Sequence, residues 1–350
     1  MRAPQSMAWI VLIGVLTACT SAPAEERSAP RATPSPTTTS TAPESPSPTE
    51  TSPSPTRTAK PPHPVSLPAL MRKEYDGRDL RVGRVLARTD AYTRYFATYK
   101  SGRLTISGIL NVPRGDGPFP VVVLNHGYID PAIYDNGQGL MREQDYLARE
   151  GYVVLHTDYR GHAQSSPDRS AEQRLRLGYT EDVINAVLAV KASTNSKIDG
   201  ERVGLLGRSM GGGVTLNALA VQPGLVDAAV VFASVSSDTV DNFNRWTRPE
   251  RAGAARQIIA AYGSPEANPW FWRHVSPRTY FNRVTEPVLM HHGTADESCP
   301  IAWSRTTLSA LTSAGVDARL HVYDGEAHAF GPQWPRSMQR TVDFLDQHLA

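Results

Sequence analysis

The chain has 350 residues, with 36 lysines and arginines against 34 aspartates and glutamates, for a formal net charge of +2. So weak a charge, spread without a basic stripe, argues against nucleic acid as a partner. The two cysteines, Cys19 and Cys299, are too few for a disulfide framework, and no Cys/His cluster has metal-ligand spacing.

In chain order, Met7 to Ala18 (MAWIVLIGVLTA) is apolar, uncharged and short for a bilayer span. It has the character of the apolar centre of a secretory signal peptide, here residues 1–18. The stretch ends Leu16-Thr17-Ala18-Cys19, which resembles the lipobox of bacterial lipoproteins. That resemblance implies a diacylglyceryl group on Cys19, anchoring to the bacterial cell membrane and an extracytoplasmic location; ordinary cleavage near Thr20-Ser21-Ala22 is the competing reading. Residues 19–64 are dominated by Pro, Ser, Thr and Ala, with hardly a large apolar side chain. Such a segment cannot bury enough surface to offset its ordering entropy, so a disordered linker is expected, stiffened locally by polyproline II. Residues 65–350 are long enough for one large domain with a sizeable core.

Within that domain, Tyr92–Lys100 and Leu104–Val112 flank Ser101-Gly102-Arg103 as an antiparallel hairpin. Apolar runs then alternate with helical patterns: strand Val121–Asn125, helix Leu140–Arg149, strand Val153–Thr157, helix Glu181–Ala192, strand Arg202–Leu206 and helix Met210–Val221. Strands Ala228–Phe232, Val288–His291 and Arg319–Tyr323 follow, and a helix from Pro335 to Leu349 closes the chain. The order predicts an α/β domain, a mostly parallel sheet with helices on both faces. Between residues 236 and 286 the alternation breaks. This insertion carries Trp246, Trp270 and Trp272 and a helix near Arg251–Tyr262. The tryptophans are candidates for the substrate pocket, with a satellite core as the competing reading.

Gly207-Arg208-Ser209-Met210-Gly211 fits Gly-x-Ser-x-Gly, and a strand precedes it and a helix follows it. That is the context of a nucleophile elbow, which makes Ser209 the candidate nucleophile. A serine hydroxyl attacks only when a base takes its proton. His328, between the last strand and the last helix, can supply the base, because loops at the carboxyl ends of parallel strands converge on one face. Asp296, just after a strand, is the candidate acid, with Glu297 as an adjacent rival. Backbone N–H groups of Met210, after the nucleophile, and of Tyr128, in the loop after the first parallel strand, are candidate oxyanion donors.

Together NHGY, DYRGHAQS, GRSMGG, HHGTADESCP and DGEAHAF resemble the catalytic domain of the prolyl oligopeptidase family, close also to dienelactone-hydrolase-like esterases. The resemblance runs from about Arg94 to Ala350. It implies an α/β-hydrolase fold with a Ser209, Asp296 and His328 triad, an oxyanion loop at His126-Gly127-Tyr128, no cofactor and no metal. The expected activity is a serine hydrolase that cleaves a small ester or a peptide or amide bond through an acyl-enzyme. Two departures stand out: Tyr128 occupies a position where the family often has glycine, and its N-terminal β-propeller is absent here. A catalytically inactive surface binding protein on the same fold is the alternative from another class.

The lipobox resemblance makes a direct prediction. Cys19→Ala should shift the protein from the membrane to the soluble fraction, or stall its processing, leaving the activity of the folded domain intact. Failure of the wild-type protein to take up labelled fatty acid overturns this expectation.

Overall fold

The computed structural model describes residues 61–350. The expected signal peptide, Cys19 and nearly all of the expected linker lie outside the described residues. The ring of His63 packs edge-on against Tyr262 and Phe271, at 5.3 and 5.2 Å between centroids, so the packed domain begins slightly before Val65.

A short helix, α1 (Leu67–Met71), leads into strands β1 (Arg78–Arg88), β2 (Tyr92–Ser101) and β3 (Leu104–Pro113). The alternating part runs β4 (Phe119–Asn125), α2 (Met141–Arg149), β5 (Val153–Thr157), α3 (Leu177–Lys191), β6 (Ile198–Arg208), α4 (Met210–Val221) and β7 (Ala228–Phe232). The insertion holds α5 (Thr239–Asn242), a π-helical turn (Phe243–Thr247), α6 (Arg248–Glu250), α7 (Ala252–Tyr262), α8 (Pro269–His274) and a 3-10 segment (Pro277–Arg283). Then come β8 (Val288–Gly293), α9 (Ile301–Ser313), β9 (Ala318–Tyr323) and α10 (Trp334–His348).

The strands form one sheet in the order β1-β2-β3-β5-β4-β6-β7-β8-β9. The first two joints and the β3–β5 joint are antiparallel, and β5 through β9 pair in parallel. Val121–Asn125 is wholly buried because helices cover both faces of a parallel sheet, so an uninterrupted apolar run suits it. Successive side chains still alternate between faces. Val121, Val123 and Leu205 join the core under α3 and α4, whereas Val122, Leu124 and Leu206 join the core under α2 and α10.

Strand β1 and helix α9 escape a reading based on apolar runs. The edge strand β1, RDLRVGRVLAR, is exposed along nearly its whole length, and its four arginines and irregular register against β2 guard a free sheet edge from further pairing. Helix α9 is rich in serine and threonine, weak helix formers, and is required because parallel strands β8 and β9 need a crossover between them.

The core also encloses polar groups. The carboxylate of Asp158 accepts from Tyr134 Oη at 2.8 Å, Ser107 Oγ at 2.7 Å and the Gly137 N–H at 2.8 Å. Nearby, the rings of His126 and His156 stack at 5.5 Å. Burial pushes the His156 imidazole down to about 3, helped by the charge of Arg94. Burial likewise brings His126 to about 3, with His156 and His162 adding repulsion. Both are therefore neutral in the folded protein at pH 7.

In the unfolded chain an imidazole takes up a proton near pH 6.5. Between there and about pH 3 the unfolded state holds the extra protons, so folding stability falls as pH drops, by up to about 1.4 kcal/mol per histidine per pH unit. His156→Gln, which cannot titrate, should flatten this dependence when urea unfolding is compared between pH 7 and pH 4.5. An unchanged pH slope rules out His156 as a contributor.

Candidate active site

Ser209 stands where β6 turns into α4, with φ 56° and ψ −123°, a left-handed conformation that non-glycine residues seldom adopt. Its N–H donates to Phe232 O at 2.9 Å, and its carbonyl accepts from the Val235 N–H at 3.2 Å. These bonds to the β7 end hold the strained turn in place. The surrounding glycines have steric reasons. A Cβ on Gly211 would lie 1.9 Å from Asn125 O, and one on Gly207 would lie 2.3 Å from Gly211 O. The turn is thus pressed against the end of β4 more tightly than any side chain permits.

That contact carries the loop His126-Gly127-Tyr128 onto the serine. The position of a Cβ on Gly127 is 3.2 Å from Ser209 Cβ and 3.7 Å from its Oγ. His126 anchors the loop from below: it is buried, stacked on Tyr134 at 4.7 Å, with Nδ1 2.6 Å from Gly127 O. The Tyr128 N–H has no protein acceptor among the described residues, and Met210 opens a helix, where the N–H groups of the first turn lack intrahelical partners.

The Asp296 carboxylate meets His328 Nδ1 with both oxygens, at 3.0 and 2.9 Å. It also accepts the N–H groups of Ser298 and Cys299 at 2.9 and 2.8 Å. Burial alone would raise this carboxyl, but hydrogen bonds from His292 and His328 and from the Cys299 N–H outweigh it and hold Asp296 well below the usual carboxylate range. With Nδ1 donating to the carboxylate, His328 Nε2 is left free to accept a proton. His328 and Ser209 line the same cavity, of about 350 Å³. Glu297, the rival acid, instead accepts the His328 backbone N–H at 3.3 Å, and its carbonyl takes Arg245 Nη2 at 2.7 Å.

Other side chains fix these loops. Glu326 is buried and accepts the backbone N–H groups of Gly331 and Gln333, closing the His328 loop on itself. Its carbonyl accepts the Ala295 N–H at 3.0 Å, which ties that loop to the Asp296 loop. His292 reaches Asp296 Oδ2 at 3.1 Å, Cys299 O at 2.8 Å and Ser304 Oγ at 2.6 Å. Neither role is apparent in the sequence, where His292 is one more histidine at a strand end and Glu326 one more loop acid.

The tryptophans divide. Trp246 lines the cavity beside Phe243, Ile258 and Val275. Trp272 does not: it is 1% exposed, 4.7 Å from the Phe243 ring, with Nε1 bonded to Gly263 O at 3.1 Å. Trp270 is 54% exposed and lies 4.0 Å from the His274 ring, away from the cavity lining. The expected pocket wall does not include these two: α8 buries Trp272 in the core shared with α3 and α4 and leaves Trp270 exposed.

A mostly parallel sheet, helices on both faces and a strained serine at a strand–helix turn define the α/β-hydrolase fold. The sequence profile of the prolyl oligopeptidase family matches residues 138–350, and the chain belongs to that family. The uncharacterized peptidase YtmA of Bacillus subtilis is 24% identical over 252 residues, covering 71% of this chain and 91% of that protein. A second B. subtilis relative, the uncharacterized peptidase YuxL, is 25% identical over 249 residues, covering 67% of this chain and 35% of its own length. The acylaminoacyl peptidase of Pyrococcus horikoshii superposes with TM-score 0.59 at 22% identity, over 75% of this chain and 42% of that one. An acetyl xylan esterase from Paenibacillus sp. R4 gives TM-score 0.60 at 19% identity, over 81% and 92%. The chain therefore spans well under half of YuxL and of the archaeal peptidase, and both structural likenesses bear on fold alone.

The divided tryptophans yield a test. Trp272→Ala should cost about 3–5 kcal/mol of unfolding free energy through the cavity it leaves. Trp246→Ala should instead change relative kcat/KM between small and bulky esters by about tenfold. Urea melts and ester kinetics on both variants check the division; a shifted ester preference from Trp272→Ala without lost stability contradicts it.

Proposed function

We propose that the protein hydrolyses small esters, and peptide or aminoacyl amide bonds more slowly, through an acyl-enzyme on Ser209. The single observation that carries this reading is the two-oxygen contact of Asp296 with His328 Nδ1 beside a cavity that also contains the strained Ser209. In the proposed cycle His328 Nε2 takes the Ser209 proton as Oγ attacks the carbonyl carbon, and returns it to the leaving group. The N–H groups of Tyr128 and Met210 hold the oxyanion. Water, deprotonated by the same imidazole, then releases the acid and regenerates the serine. Asp296 stays ionised throughout, orienting the ring and stabilising the imidazolium.

The ester preference draws support from general chemistry: a good leaving group needs little help from His328 as an acid. Relatives of the chain include proteins named as peptidases and a fold neighbour named as an esterase. We further propose that the domain works outside the cytoplasm on a lipid anchor at Cys19, on the strength of the lipobox resemblance alone.

Ser209→Ala should abolish labelling by a fluorophosphonate probe and turnover of p-nitrophenyl esters. Asp296→Asn should keep the fold and lower kcat by about 10⁴, because the imidazole then settles in the wrong tautomer. Near-full activity in Asp296→Asn with loss in Glu297→Gln would reassign the acid.

A further inference from the structure

Tyr128 follows the oxyanion glycine, and its side chain does not stand alone. The guanidinium carbon of Arg176 lies 4.7 Å from the Tyr128 ring centroid and that of Arg251 lies 5.0 Å from it. Both arginines pair with one acid: Arg176 Nη2 with Glu172 Oε2, and Arg251 Nε with Glu172 Oε1 at 3.2 Å. Three separate segments meet here, the oxyanion loop, the turn before α3 and the insertion, and all four side chains line the cavity that holds Ser209 and His328.

Two cations on one carboxylate leave a positive charge in excess. The other acid on the cavity wall, Glu250, is exposed and forms no ion pair among the described residues. The donor inventory points the same way. Among the described residues Glu172 is the only acceptor within reach of Arg176, and Arg251 has besides it only Thr247 Oγ1, at 3.4 Å from Nη2. Arg251 Nε is buried and, for all its closeness to Glu172, makes no properly directed hydrogen bond. The Tyr128 ring and Glu172 together restrain both guanidinium groups, whose unused N–H groups suit a planar anion. The backbone that places Arg176 is also costly: Leu175 and Arg176 have φ 52° and 57°, two consecutive left-handed residues, neither of them glycine. Strain of this kind gathers at ligand sites.

We infer that Arg176 and Arg251 form a carboxylate-binding subsite, so that the preferred substrates carry a carboxylate close to the scissile bond. This rests on the serine-hydrolase mechanism proposed above. It also disfavours a substrate ammonium group there, since both Glu172 oxygens are already held by arginines. The carboxylate can sit on the acyl side, as in a monoester of a dicarboxylic acid, or on the leaving-group side.

Two pairs of esters separate these sources when hydrolysed by the full chain. The first is 4-nitrophenyl hydrogen adipate against its methyl ester, and the second is 4-acetoxybenzoate against its methyl ester, each corrected for uncatalysed hydrolysis. In one pair the wild-type kcat/KM should favour the carboxylate member by about tenfold, chiefly through KM, and the preference should shrink as salt is raised. Arg176→Gln and Arg251→Gln should each lower that ratio by about tenfold, whereas Glu172→Gln should raise it. The ratio cancels any general damage from loosening Tyr128, and the salt series needs no variant to fold. Turnover of the neutral esters with no carboxylate preference in either pair overturns the subsite alone. No turnover of any ester and no fluorophosphonate labelling sinks the hydrolase mechanism and the subsite together.

Discussion

Where β6 turns into α4, backbone approaches backbone at distances that leave no room for a Cβ on Gly207 or Gly211. The first turn of α4 thereby lies against the end of β4, and Ser209 is driven into its left-handed conformation at the crest. Much of the site hangs on this contact. It brings the loop after β4 within van der Waals reach of the serine, and it directs the start of α4 toward the same cavity. The cost in backbone strain is met by hydrogen bonds from Ser209 to the end of β7.

The remaining loops are held by buried polar groups as well as by apolar packing such as that of Phe330. Asp296 gathers two histidines and two backbone N–H groups, and Glu326 gathers two more N–H groups while its carbonyl binds the Asp296 loop. A buried carboxylate left without partners would be expensive, so each of these acids specifies one loop geometry and penalises the others. His126 acts similarly under the loop after β4, where burial keeps it neutral. Hydrogen bonds thus fix the loops that bear Asp296 and His328, whereas the insertion supplies Phe243, Trp246 and Ile258 to the cavity wall.

The strands β4 to β8 were legible in the sequence because parallel strands buried on both faces read as short apolar runs. Met210–Val221 and Val153–Thr157 were placed to the residue. The edge strand β1 was not, since its function at the sheet margin selects arginines over apolar residues. Helix α9 was missed for its serines and threonines, although the parallel pairing of β8 with β9 demands some crossover.

Sequence alone determined the order of strands β2 to β9, the elbow serine and the loops that bear Asp296 and His328, because strand burial, glycine crowding and loop position follow from local pattern. It favoured Asp296 by loop position and resemblance but left the adjacent Glu297 as a rival on the same loop; the fold turns Asp296 onto the imidazole and Glu297 onto a backbone N–H. The sequence could not sort Trp246 from Trp270 and Trp272, since which face of a short insertion helix meets the cavity depends on how the insertion docks. The clasp of Arg176, Arg251 and Glu172 around Tyr128 is the extreme case. Its members are far apart in the chain and follow no periodicity, and only tertiary packing makes them neighbours.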